Sequence, residues 1–199
     1  MRGITNSSSG KMGFAVARAA HEAGARVTLV ACPVHLPTPR GVRRIDVKSA
    51  VEMLLATLEG ARTATVFVAT AAVADWRPAH TAEQKIKKDG SGQAPALEFV
   101  ENPDILATIA QSPRARAAEL FCVGFAAESE DLLVNAQAKR LRKGVPLLVG
   151  NIGPATFGQD DNALLLVRSD GVESLARAPK LELARKLIAT CARQISDKT

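Results

Sequence analysis

The chain has 199 residues, 47% hydrophobic and 23% charged, enough apolar side chains for one sizeable core and too many for a disordered or low-complexity polypeptide. No apolar run approaches the ~20 residues that cross a bilayer, and Asn, three Ser and a Lys stand where a signal peptide would be apolar, so a cytoplasmic protein without a membrane partner is expected. A net charge of +6 asks for anionic partners, but at 4% aromatic residues there is no base-stacking platform, and phosphorylated small molecules fit better than nucleic acid.

The first segment, Asn6-Ser7-Ser8-Ser9-Gly10-Lys11-Met12-Gly13, runs directly into an apolar helical pattern over 10–24 that Gly24 ends. Helix amino ends leave orphan N–H groups and a positive dipole end, and glycine lets another molecule approach them, so the segment suits an anion. Capping by Ser8 or Ser9 is the plainer alternative. The loop is neither a P-loop nor G-x-G-x-x-G. Such a loop normally follows a strand, and only five residues precede Asn6.

Arg26 to Ala31 reads as a buried strand, residues 32–41 as a proline-rich loop and Val42 to Val47 as a short strand. A helix from Ser49 to Glu59 stops at Gly60, and Ala64 to Thr70 is another buried strand. Residues 71–95 form a long charged loop, and Leu97 to Val100 a short strand. Asn102-Pro103-Asp104 then starts a helix, with Asn102 as cap and Pro103 at the first helical position. Glu119 to Phe125 is a strand, Glu130 to Lys143 a helix ended by Gly144, and Pro146 to Gly150 a strand. After a loop to Asp161, Ala163 to Val167 is a strand, Asp170-Gly171 a hairpin turn, and Lys180 to Ile195 the closing helix.

Apolar strands alternating with helices predict an α/β fold. The expected form is a single domain over 1–199: a Rossmann-like, doubly wound, mostly parallel sheet in three αβα layers, with a small antiparallel extension. Ligands bind beyond the carboxyl ends of such strands. Asp75, after the small residues Ala71-Ala72-Val73-Ala74, suits a ribose hydroxyl or a metal, or a strand-exit cap. Lys85-Ile86-Lys87-Lys88 suits a basic loop over a triphosphate, or a solvated charge run. Phe125, in Gly124-Phe125-Ala126-Ala127-Glu128, can stack on a base but on its own reads as core. Lys139 and Lys143 share a helix face that on spacing alone is solvated. Cys32, Cys122 and Cys191 offer neither a disulfide framework nor a metal spacing; Cys122 and Cys191 read as small buried hydrophobes. His21, His35 and His80 show no metal spacing, and no nucleophile motif is present, which leaves chemistry by positioning and charge stabilisation on phosphates.

Taken together, the segments resemble phosphopantothenate–cysteine ligase, the synthetase part of the bacterial coenzyme A biosynthesis protein. The matching pieces, in family order, are Asn6 to Phe14, Pro33 to Pro39, Ala71 to Trp76, Lys85 to Lys88, Asn102 to Leu106, Gly124 to Glu128 and Asp161 to Leu164. The resemblance implies a two-step reaction. The carboxylate of 4′-phosphopantothenate attacks the α-phosphate of CTP, releasing pyrophosphate and forming an acyl-cytidylate; the amine of L-cysteine then displaces CMP, with Mg²⁺ neutralising phosphate charge. It also implies roles. Asn6 acts on the acyl-cytidylate with Arg2 nearby, and Ala71 and Ala72 flank the phosphopantothenate. Asp75, Lys85, Pro103, Asp104, Ile105, Leu106, Phe125, Lys139 and Lys143 contact the nucleotide, and Lys85 takes part in catalysis. The lysine-rich loop favours the CTP-using type, a homodimer is implied, and no flavin is expected in this chain.

The chain departs from the family in several places. The family has a strand and a Gly-Pro-Thr loop before the segment matching Arg2 to Asn6, and its bacterial form carries a flavin-dependent decarboxylase, so a separate or fused decarboxylase is a candidate partner. Cys32 replaces glycine, Ile152 replaces aspartate and Trp76 replaces tyrosine. A chain without the first strand is expected to be poorly stable or weakly active. The runner-up reading is therefore a non-catalytic nucleotide- or phosphate-binding remnant. A nicotinamide-dependent reductase lacks its glycine fingerprint.

Overall fold

A computed structural model describes residues 8–80, 96–128, 131–152 and 159–196. Helix α1 (Lys11–Glu22) buries Phe14, Val16, Ala17 and Ala19, an apolar stripe at helical spacing. Strands β1 (Thr28–Ala31) and β2 (Arg43–Asp46) pair in parallel, Thr28 beside Arg43. Ser49 caps α2 (Ala50–Ala61): its hydroxyl accepts the Glu52 N–H at 3.1 Å, and the Glu52 carboxylate accepts the Lys48 N–H at 2.9 Å. β3 (Val66–Ala69) follows. β4 (Trp76–Pro78) and β5 (Phe99–Glu101) form an antiparallel ribbon. Beyond them come α3 (Ile105–Ala110), the short α4 (Pro113–Arg116), β6 (Phe121–Glu128), α5 (Leu132–Lys143), β7 (Leu147–Ile152), β8 (Asp161–Val167), β9 (Val172–Pro179) and α6 (Lys180–Ser196).

The main sheet runs β3-β6-β7-β8-β9. Its first three strands are parallel, and β8 and β9 are the antiparallel extension. One face carries Phe121, Val123, Leu147, Val149 and Leu166 against Val16 and Ala19 of α1 and Leu183, Ala184 and Leu187 of α6. The other carries Cys122, Ala126, Leu148 and Val167 against Met53, Ile105, Leu106, Ile109 and Ala136 of α2, α3 and α5. This is the three-layer α/β arrangement that alternating apolar strands and helices require. Each fully buried Leu or Val contributes roughly 1.5–3 kcal/mol. Among the described residues, β1 and β2 form a sheet of their own, and β3 pairs with β6 alone.

Several local readings need correction. The helix predicted to start at Asn102 starts at Ile105, capped by Asp104, whose Oδ1 accepts the Ala107 N–H at 2.9 Å. Asn102 is occupied elsewhere: its amide donates to the Ala74 carbonyl at 2.9 Å, its Oδ1 accepts from Arg77 at 3.1 Å, and its N–H donates to the Asp75 carbonyl at 2.7 Å. Three tertiary partners outweigh one cap, and Pro103 precedes the helix. Strand β9 went unpredicted because it is a polar outer strand on which only Leu175 is buried. β4 and α4 were also unpredicted, being three and four residues long.

Candidate functional site

The amino end of α1 is built for close approach. Gly10 has φ 72°, in the left-handed region, and as N-cap it brings no side chain; among the described residues the Lys11 N–H donates to Ser9 Oγ at 3.5 Å, the outer limit of a hydrogen bond. Ser9 thus supplies a weak cap of the kind the plainer alternative expects. A Cβ on Gly10 would meet Val34 at 3.2 Å and Leu36 at 3.6 Å, and one on Gly13 would stand 2.7 Å from Thr70 Oγ1. The proline-rich loop and the carboxyl end of β3 thus lean on the first turn. Arg44 fixes that loop: its guanidinium donates to the carbonyls of Leu36 at 2.9 Å and Val34 at 3.4 Å, pairs with Asp46 at 2.7 Å, and lies 5.3 Å from the Phe14 ring centroid.

From Thr70 the chain leaves the sheet through Ala71 and Ala72, both exposed, to an exposed Asp75. The Asn102 bonds join this exit to Pro103 and Asp104. Asp104 in turn accepts a hydrogen bond from the Lys143 ammonium, 39 residues along the chain. Partial burial opposes ionisation of the Asp104 carboxyl, but the Lys143 and Ala107 hydrogen bonds and the charges of Lys143 and Arg142 outweigh it, holding it below the usual carboxylate range. Ala71, Ala72, Asp75, Pro103, Asp104 and Lys143 thus form one connected neighbourhood. Lys139, one turn earlier on α5, is half-buried.

Other predicted contacts fall differently. Ile105 and Leu106 are buried, and Leu106 packs over Gly124 in place of a side chain there. Their side chains are core, and only their backbone is available to a ligand. Phe125 is half-buried and packs with the opposite core, on the α1 and α6 face. Arg2, Asn6 and Lys85 lie outside the described residues.

The sequence reading missed Arg44, Thr70, and the partners Asp160 and Lys180 that gather at Lys11 of the first segment. These contacts form only across the fold, and no local pattern marks Arg44, Asp160 or Lys180. A cleft of about 330 Å³ lies at the amino ends of β6 and β7, lined by residues such as Ala110, Leu120, Cys122 and Val145. It is on the far side of the strands from the carboxyl-end segments and holds none of the predicted site residues. No three His, Cys, Asp or Glu side chains gather as a metal site among the described residues. Nor is any helix among them long and apolar enough to cross a membrane.

The family model for the DNA/pantothenate metabolism flavoprotein C-terminal domain matches residues 1–195. The chain belongs to that family. Among curated relatives, the coenzyme A biosynthesis bifunctional protein CoaBC of Vibrio cholerae is 48% identical over 187 residues, 92% of this chain and 46% of that protein. CoaBC of Escherichia coli K12 is 43% identical over 192 residues, 94% of this chain and 47% of that protein. The chain spans about half the length of these relatives. The crystal structure of the C-terminal domain of CoaBC superposes with a TM-score of 0.82 at 31% identity, covering 99% of this chain and 88% of that one. A Cab2 mutant in complex with phosphopantothenate-cysteine shares the fold, with a TM-score of 0.60 at 17% identity over 80% of this chain and 56% of that one. The three-layer sheet with its antiparallel extension is therefore the fold of this flavoprotein C-terminal domain family.

Proposed function

We propose that the chain is a phosphopantothenate–cysteine ligase that uses CTP and serves coenzyme A biosynthesis. The observation that carries this reading is the convergence of separate segments: the glycine-headed α1 amino end against Thr70, the Ala71–Asp75 exit, the Asn102–Asp104 corner and Lys143 are linked contact by contact. The relatives' name and their C-terminal domain structure support the pathway.

In this reading the first-turn amides of α1 and nearby lysines receive the triphosphate and stabilise charge that grows on it in the transition state. The small side chains of Ala71 and Ala72 leave room for phosphopantothenate. The two substrates are held so that the carboxylate meets the α-phosphate in line, pyrophosphate leaves, and the cysteine amine then displaces CMP from the acyl-cytidylate. Asn6, Arg2 and Lys85 are proposed to act on these steps by family match. The described residues fit a Mg²⁺ that arrives with the triphosphate: Asp75 is an exposed carboxylate beside the site, and this ion commonly takes one or two carboxylates plus phosphate oxygens. When bound, the ion neutralises phosphate charge.

A homodimer is part of the proposal. Trp76, Leu97, Phe99 and Val100 are exposed on and beside the β4–β5 ribbon, an apolar surface that a second copy would cover. Light scattering that finds only monomer at micromolar concentration would remove this part.

The test is pyrophosphate release by the purified chain on addition of CTP, 4′-phosphopantothenate and L-cysteine. Release that needs both CTP and phosphopantothenate, with cysteine-dependent CMP, is the expected result. Nucleotide binding without release would leave only the binding-remnant reading.

A further inference from the structure

Lys11 and Lys180 are the first residues of α1 and α6, which pack against each other on one face of the sheet. A cation at a helix amino end opposes the macrodipole, so two such lysines near one another are not explained by helix formation. They meet at a short segment entering β8. The Lys11 ammonium donates to the Asp160 carboxylate at 2.7 Å. The Lys180 N–H donates to the Asp160 carbonyl at 2.9 Å, and the Lys180 ammonium donates to the Gln159 carbonyl. The neighbouring Asp161 is committed to Arg177 by hydrogen bonds of 2.9 and 2.8 Å, which leaves Asp160 as the carboxylate facing Lys11. Lys180 is 7% exposed, and Asp160 stands at the surface. Burial and the Lys11 charge push the Lys180 pKa down, against the pull of Asp160 and Asp161. A buried ammonium is costly, and this one bonds the Gln159 carbonyl, while the Lys180 main-chain N–H takes the next carbonyl, that of Asp160.

We propose that the Lys180 side chain is a positioning group for nucleotide binding: by holding the Gln159 carbonyl through its ammonium it sets the adjoining Asp160 carboxylate against Lys11 and so fixes the Lys11 ammonium at the amino end of α1. The inference rests on the ligase reading, in which the first-turn amides of α1 receive the triphosphate.

Calorimetric titration of the 199-residue chain with CTP, and separately with 4′-phosphopantothenate, tests it. Lys180→Met keeps the bulk and removes charge and donor. CTP affinity is expected to fall roughly tenfold, by analogy with the loss caused by removing the partner that orients a metal ligand. Affinity for phosphopantothenate should be unchanged, and Lys180→Arg should recover most of the loss. If circular dichroism shows Lys180→Met unfolded, Asp160→Asn carries the test, because its side chain is 92% exposed and its replacement leaves the core alone. That variant should bind CTP several-fold more weakly. Several results would overturn the proposal: folded Lys180→Met binding CTP like the parent, an equal loss for both ligands, failure of Lys180→Arg to recover, or Asp160→Asn binding CTP as tightly as the parent. Failure of the parent chain to bind CTP sinks the ligase reading and this inference with it, whereas tight binding by parent and variants alike sinks the inference alone.

Discussion

Gly124→Ala tests how the site is joined to the core. Gly124 lies in β6, paired with Ala69 of β3 and Leu148 of β7. A Cβ there would stand 2.6 Å from Leu106 Cδ2 and 2.8 Å from Leu148 Cδ1. Carbon contacts are comfortable at ~3.5–4.0 Å, so each leucine must give by about 1 Å. Leu148 is fully buried in the middle of the sheet and has nowhere to go. Leu106 is in the first turn of α3 and can yield only by tilting the start of that helix. Overpacking of this kind costs about 1–3 kcal/mol, and the lower chain entropy of alanine in the unfolded state returns about 0.4–1 kcal/mol. From the middle of each range the net loss is about 1.3 kcal/mol, which for a chain of this size lowers Tm by roughly 3–5 °C. Because Asp104 caps α3 and bonds Lys143, CTP binding should weaken as well. Differential scanning calorimetry reads the first effect and titration the second. Gly60→Ala is the control: nothing lies within 4 Å of its added Cβ, it is helical, and it should gain up to ~0.5 kcal/mol. Leu106→Ala alone costs about 2–5 kcal/mol, but in the Gly124→Ala background it should cost measurably less, since it removes the clash. A Gly124→Ala protein that melts at or above the parent while Gly60→Ala behaves as stated refutes the reasoning.

Other outcomes follow from single contacts. Gly144 ends α5 at φ 66° with open space around it, so Gly144→Ala should cost ~1 kcal/mol from backbone strain alone, read from a urea midpoint at unchanged m. Asp104 has a folded pKa below its unfolded value of about 3.9, so its stabilisation is present above that pH and is lost as pH falls through the lower folded value. Lys143→Met should raise that pKa and, because Asp104 is half-exposed, lower stability at pH 7 by no more than ~1 kcal/mol, a difference that vanishes in acid titrations. Cys122 and Cys191 are buried, and desolvation pushes their thiols up to about 11 and about 12, while Cys32 is exposed. A thiol reagent should therefore titrate Cys32 first in the native chain and reach the other two only on unfolding; rapid native reaction of all three would contradict the packing.

The order of the main elements was readable from residue pattern alone. Apolar runs such as Leu147 to Val149 have to be strands covered on both faces, and a polar face with period 3.6 has to be a helix against them. Gly24 and Gly144 marked helix ends, and seven short segments in family order pointed to the ligase. The sequence left the helix start at Asp104 hidden, because the competing partners of Asn102 sit about 25 residues earlier at Ala74, Asp75 and Arg77. It left β9 hidden because an outer strand needs little apolar character. It also could not sort Leu106 from Lys143: the resemblance gives both the same expected role, yet one fills the space above Gly124 and the other reaches across to Asp104.

Local chemistry therefore determined which segments become strands and helices, and which of them carry phosphate-binding residue types. Those properties depend on spacing and side-chain polarity within a few turns of chain. The tertiary structure alone decided which of those residues meet. The Asp104–Lys143 bond spans 39 residues and the Lys11–Asp160 bond spans 149. Contacts at such separations exist only after the sheet has ordered its strands and the helices have packed on it, because no short-range propensity can encode them.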